Sequence, residues 1–230
     1  MTVTDTIDRA ETSSRRMRDR IELSIAVLLG IASIGIAYAS FQAALYDSQM
    51  AGAYQRGGNL ATEAESLYLE GNQQYVQDAQ LWNRLTELAI ASESSDPVAA
   101  ADAQNTYDVL SFQAVSEDLA GAIEWAAGQN EADASTYYSP LDNEDYQTAL
   151  FGSYQEMKAE SVTVVSQGDD FNSLSDRLTL YTVMMSISLF LLGIAAVVRQ
   201  TRIQVILGST GVVIFGVSIT LTAFIPFVGL

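Results

Sequence analysis

Residues 21–46 read IELSIAVLLGIASIGIAYASFQAALY, and after Glu22 no charged side chain occurs until Asp47. A helix needs about 20 apolar residues to cross the hydrocarbon of a bilayer, and this run is long enough. Five arginines precede it: Arg9, Arg15, Arg16, Arg18 and Arg20. From Asp47 to Asp176 there are only three basic side chains, Arg56, Arg84 and Lys158. The run therefore decides which side of the membrane everything else occupies. Ala37-Tyr38-Ala39 resembles a small-residue cleavage site, but the apolar run continues past it and exceeds the 7–15 residues of a signal core. The expectation is an uncleaved anchor.

Two further uncharged runs follow, LTLYTVMMSISLFLLGIAAVV ending at Val198 and IQVILGSTGVVIFGVSITLTAFIPFVGL starting at Ile203. Arg199-Gln200-Thr201-Arg202 separates them, too short for anything but a tight turn. Together they predict a transmembrane hairpin. Orientation follows the arginines and lysines near the spans, with the basic side cytoplasmic. The arm before the first span and the hairpin turn are both arginine-bearing, so they give one answer. The predicted layout is a cytoplasmic arm (1–20), a first span (21–46), an extracytoplasmic segment (47–176), a second span (177–198), a cytoplasmic turn (199–202) and a third span (203–230). The outer segment carries 23 acids against its three basic residues, a net −20, more than the −17 of the whole chain.

Composition removes several chemistries. The chain has no Cys and no His, which excludes zinc, haem and iron–sulfur ligation, thiol catalysis and a Ser-His-Asp triad. Its pI near 4.1 argues against nucleic acid, whose phosphates need a basic surface.

The outer segment reads as helix. Tyr54, Ala61, Tyr68, Tyr75, Trp82 and Ala89 recur every seventh residue, and Ala64, Gly71, Asp78 and Leu85 form a second column three residues on. That split is a helix packed along one seam, and it predicts that the first span continues outward to about Ser92, with a kink at Gly57-Gly58. Asp96 suits an N-cap and Pro97 the first helical position. The helix they begin is expected to run to about Ala127, with Ala103, Tyr107, Leu110, Ala114 and Gly121 on its apolar face, Phe112, Val115, Leu119 and Ala122 beside it, and Gly128 closing it. A loop over 128–141 follows, then a third outer helix capped by Asp142 with Asp145, joined to the second span through a kink at Gly168. The fold class is thus all-α: three transmembrane helices and an extracytoplasmic bundle built from outward extensions of the first and second spans.

Candidate sites are few. Ala26, Gly30, Ser33 and Ala37 on the first span, and Gly208, Gly211 and Gly216 on the third, have the small-residue spacing that lets helices approach in lipid. They are candidate homo-oligomer packing residues. Tyr54, Tyr68, Tyr75 and Trp82 form an aromatic seam, more readily core than ligand stripe. Asp142-Asn143-Glu144-Asp145 lacks the loop of a calcium site, and no catalytic, cofactor or metal residues are assigned. The spans carry no ionisable side chain at their centres except tyrosines, which speaks against a transporter.

The stretch AYASFQAALYDSQMAGAY (37–54), followed by QLWNRLTELA (80–89) and SDRLTLYTV (175–183), resembles a widespread set of uncharacterised prokaryotic membrane proteins. These have one N-terminal span, an outer helical domain and a C-terminal pair of spans. Phe41-Gln42-Ala43 stands where they carry a Tyr-Gln-Ala element. The resemblance implies topology and a prokaryotic cell membrane, and no activity. The outline is also similar to bacterial sensory receptors, from which the third span and the lack of a cytoplasmic signalling domain set it apart. The expected function is a non-enzymatic membrane protein whose outer domain mediates assembly or recognition, with lipid, further copies and other membrane or surface proteins as partners. The alternative is a homo-oligomeric gated pore lined by hydroxyls such as Ser33, Ser186, Ser188, Ser209, Thr210, Ser218 and Thr222.

Overall fold

The computed structural model describes the backbone of residues 3–229 and the side chains of 20–229, so the side chains of the arm's first four arginines lie outside the described residues. Five helices account for most of it: α1 (Val3–Ser92), α2 (Pro97–Ala114), α3 (Glu117–Ala132), α4 (Glu144–Val197) and α5 (Thr201–Ala223), with a 3₁₀ turn at Pro140–Asp142. No strand occurs among the described residues. Three of the helices, α1, α4 and α5, are long and apolar enough to cross a membrane.

The chain divides into two compact units, residues 1–54 with 166–230, and residues 55–165. Helices α1 and α4 each run through both. The first, or spanning, unit thus takes in 47–54 and 166–176, which the apolar runs alone do not include.

The spanning unit is built inside out relative to a water-soluble core. Ile34 is 73% exposed and Phe190 67%, while Ser188 and Ser218 are 0% exposed. Such an arrangement suits lipid, where large apolar side chains face the solvent and small or hydroxyl residues bring helices together. Its buried columns repeat every seventh residue: Ile25, Ala32, Ala39, Tyr46 and Ala53 on α1, Leu178, Met185 and Leu192 on α4, and Gln204, Gly211 and Ser218 on α5. A seven-residue repeat holds one seam against its neighbours along a helix. Backbone contacts follow from the small residues. A Cβ placed on Gly211 would lie 3.0 Å from Leu192 Cγ, and the Ser188 hydroxyl donates to the Gly211 carbonyl at 2.6 Å. Ser175 donates likewise to the Ala43 carbonyl at 3.2 Å.

After α5 the chain turns at Pro226 and lies back on α1. Ile225 and Val228 pack with Ala43, Tyr46 and Leu178. The Gln42 amide clasps one residue of this tail, donating to the Val228 carbonyl at 3.2 Å and accepting from its N–H at 3.0 Å. Tyr46 donates to the Pro226 carbonyl at 2.8 Å.

In the second, or helical, unit the buried column of α1 is Gly57, Ala64, Gly71, Asp78 and Leu85. Between Ala53 and Gly57 the repeat steps by four instead of seven, a stutter that locally relaxes supercoiling; α1 stays helical through Gly57-Gly58. The core proper gathers Leu119, Ala122 and Tyr146, with Tyr75, Leu81, Ile123 and Leu150 against them.

Local chemistry sets the helix ends, in places other than expected. Helix α1 does stop at Ser92, and Asp96 caps α2 by accepting from Val98 N–H at 3.0 Å. The expected single helix to Ala127 is two helices. Ser116 caps α3 by accepting from Leu119 N–H at 3.2 Å, and Glu117 and Asp118 sit in the first turn, where the helix dipole favours them. The break resets the phase, so Leu119, Ala122 and Ala126 are buried while Ala114 and Gly121 are exposed. Gly128 closes nothing; α3 passes through it to Ala132. Asn143, not Asp142, caps α4, accepting from Tyr146 N–H at 2.8 Å. Helix α4 is continuous through Gly168.

Candidate functional site

The expected aromatic seam lies at the edge of its helix contact. Gly71 explains why: a Cβ there would come within 2.5 Å of the Leu150 carbonyl oxygen, so α1 and α4 cross too closely for a large ring. The small column occupies the centre and the rings flank it. Tyr68, 39% exposed, stacks at 5.9 Å on Phe151 and 5.2 Å on Tyr154. Tyr75 packs on the core cluster, and Trp82 is half-buried. Tyr54 belongs to the spanning unit, where its hydroxyl donates to Asp169 Oδ1 at 2.7 Å and is thereby raised above the usual tyrosine range.

At the centre of the helical unit lies a buried carboxylate. Asp78, 2% exposed, accepts from the Tyr146 hydroxyl at 2.9 Å and from Gln74 Nε2 at 2.8 Å. Burial, then the bond to Asp78, pushes the Tyr146 hydroxyl well above the usual tyrosine range. A charge out of water needs this partnering. An acid standing in a column of Ala, Gly and Leu is the sequence signal for it; the identity of the donor is not, because Tyr146 is 68 residues away.

Gln74 also lines an open groove of about 510 Å³ between α1 and α4, with Leu67, Glu70, Gln73, Gln77 and Ser153. Its walls are rich in side-chain amides, which donate and accept. With Glu70 and Ser153 beside them, the arrangement can hold a polar group by hydrogen bonds.

The candidate packing residues separate into two sets. Ala26, Gly30, Ser33 and Ala37 all lie exposed on one face of α1. A Cβ on Gly30 or Gly216 would meet nothing within 4 Å, and Gly208 is equally open. Gly211 is instead used within the chain, against Leu192 and Ser188. Within the first span, the glycine that does receive a neighbour in the chain is Gly35, where a Cβ would lie 3.2 Å from the Phe215 ring. The hydroxyls bond helix backbone: Ser33 to the Leu29 carbonyl, Ser186 to Thr182, Thr210 to Ile206 and Thr222 to Ser218.

Compared with known proteins, the chain matches no family, no curated protein and no solved structure.

Proposed function

We propose that this chain is a non-enzymatic integral membrane protein of a prokaryotic cell, anchored by three spans, whose helical unit lies outside the cytoplasm and mediates assembly or recognition. The groove lined by Glu70, Gln73, Gln74, Gln77 and Ser153 carries the recognition reading, because it presents hydrogen-bonding groups to solvent. The arginines around the first span and the hairpin turn support the orientation. The pore alternative finds less support. The hydroxyls that would line it satisfy their own helices, a habit of serine and threonine in apolar surroundings, and Ser188, Ser218 and Thr222 face the interior of one chain. The exposed small face at Ala26, Gly30, Ser33 and Ala37 supports self-association through α1.

A photo-crosslinking residue placed at Gln73 or Gln77 in living cells tests the reading. A discrete protein or glycan adduct at these positions, absent when the residue replaces exposed Glu131, is expected. No adduct at either position, together with ion conductance from the reconstituted protein, would transfer the function to the pore.

A further inference from the structure

Gly208 leaves a gap in the spanning unit that α5 does not close. Three residues on, Gly211 touches Leu192; at Gly208 an added Cβ would meet nothing within 4 Å. Gly208 lines an open groove of about 340 Å³ between α1 and α5, with Ile25, Leu28, Leu192, Arg20 and Gln204 also lining it. Gln204 is 3% exposed overall and lines this groove. Its amide atoms are not among the fully buried unpaired ones, so they open onto the groove and can donate to a group with oxygen acceptors.

The same end of the unit gathers positive charge. Arg202 stands two residues before Gln204, and the N-cap of α5, Gln200, makes no side-chain capping bond. The first-turn N–H groups therefore face that end unoccupied by a cap, and the helix dipole is positive there. No carboxylate lines the groove. An open apolar groove lined by a guanidinium and an amide matches a lipid whose acyl chain lies along it, whose ester carbonyl meets the amide and whose phosphate meets the arginine. Basic pockets between spans select net-negative headgroups.

We propose that the groove between α1 and α5 binds one anionic phospholipid of the surrounding bilayer, with its phosphate on Arg20 and one acyl chain against Gly208. The proposal rests on the reading that this unit lies in a membrane, and not on which side each end faces. Native mass spectrometry of the full chain in mild detergent, incubated with dioleoylphosphatidylglycerol or dioleoylphosphatidylcholine, tests it. One retained phosphatidylglycerol per chain is expected, at least several-fold over phosphatidylcholine. Arg20→Ala should abolish the preference, and Gly208→Leu, which puts a side chain into open space, should remove the retained lipid while leaving the melting temperature unlowered. Equal retention of the two lipids would overturn the proposal, as would retention unchanged in both variants. A fall in particle mass with Gly208→Leu and no change in lipid would give the groove to a second copy instead. A chain that stays dispersed without detergent and retains neither lipid would overturn the membrane reading itself, a result distinct from the others.

Discussion

Asp78 and Tyr146 form a pair in which each satisfies the other. Removing one partner should therefore cost more than removing both. Tyr146→Phe leaves the buried carboxylate with Gln74 alone and should destabilise the helical unit by about 1–3 kcal/mol. Asp78→Leu with Tyr146→Phe should be closer to neutral, since no polar group is then stranded; thermal melts followed by circular dichroism compare them. Tyr146 also predicts a pH dependence. Its folded-state hydroxyl titrates above the 10.0 of an unfolded tyrosine. Its contribution is therefore complete below that value and is lost as the pH rises past it, where only the unfolded chain ionises. The melting temperature should fall as the pH rises above about 10, and less steeply in Tyr146→Phe than in the parent. Trp82, half-buried, should lose less on truncation to Ala than the roughly 3–5 kcal/mol of a fully buried tryptophan.

Long regular elements were legible in the sequence; their interruptions were less so. Helix α1 and the hairpin α4–α5 follow from runs of apolar or seven-spaced residues that no proline breaks, and a bilayer leaves such runs no alternative to helix. The break at Val115-Ser116 was missed because Ala, Leu and Phe continue across it, and propensity is indifferent to a single serine. The cap chemistry does decide there: Ser116 followed by Glu117 and Asp118. Ser116→Ala should cost about 1 kcal/mol and reduce the melting temperature of the helical unit, whereas Ser95→Ala, exposed and outside a cap, should not. The aromatic seam shows a different limit. Seven-residue spacing identifies a face but not its centre, and only the close approach at Gly71 places the rings at the edge. On α5, the glycines at 208, 211 and 216 look alike in sequence and differ entirely in what a side chain would meet. Gly211→Leu should therefore separate α4 from α5 and lower the yield of folded protein, measured by protease resistance. Gly216→Leu should leave the fold intact.

Over the whole molecule, the two expectations to check are sidedness and self-association. Single cysteines at Ser13, Gln200 and Ser135, treated on intact cells with an impermeant thiol reagent, should react only at Ser135; labelling at Gln200 instead would invert the topology. The exposed small face of α1 predicts a particle of more than one chain in mild detergent. Gly30→Leu should reduce its mass by light scattering and Gly211→Leu should not, except through loss of fold.

The clasp between Gln42 and the Val228 backbone joins residues 186 apart in the chain. During synthesis the first span enters the bilayer long before that partner exists, and its amide must wait among lipid tails. Assembly of the spanning unit thus waits until Val228 has been made, however early the first span inserts. A ribosome stalled anywhere in α5 leaves a nascent chain with an open polar position, a state that membrane proteases and chaperones can distinguish from the finished protein. Messages that stop between Ala223 and Val228 should accordingly yield far less folded protein than messages that include Val228.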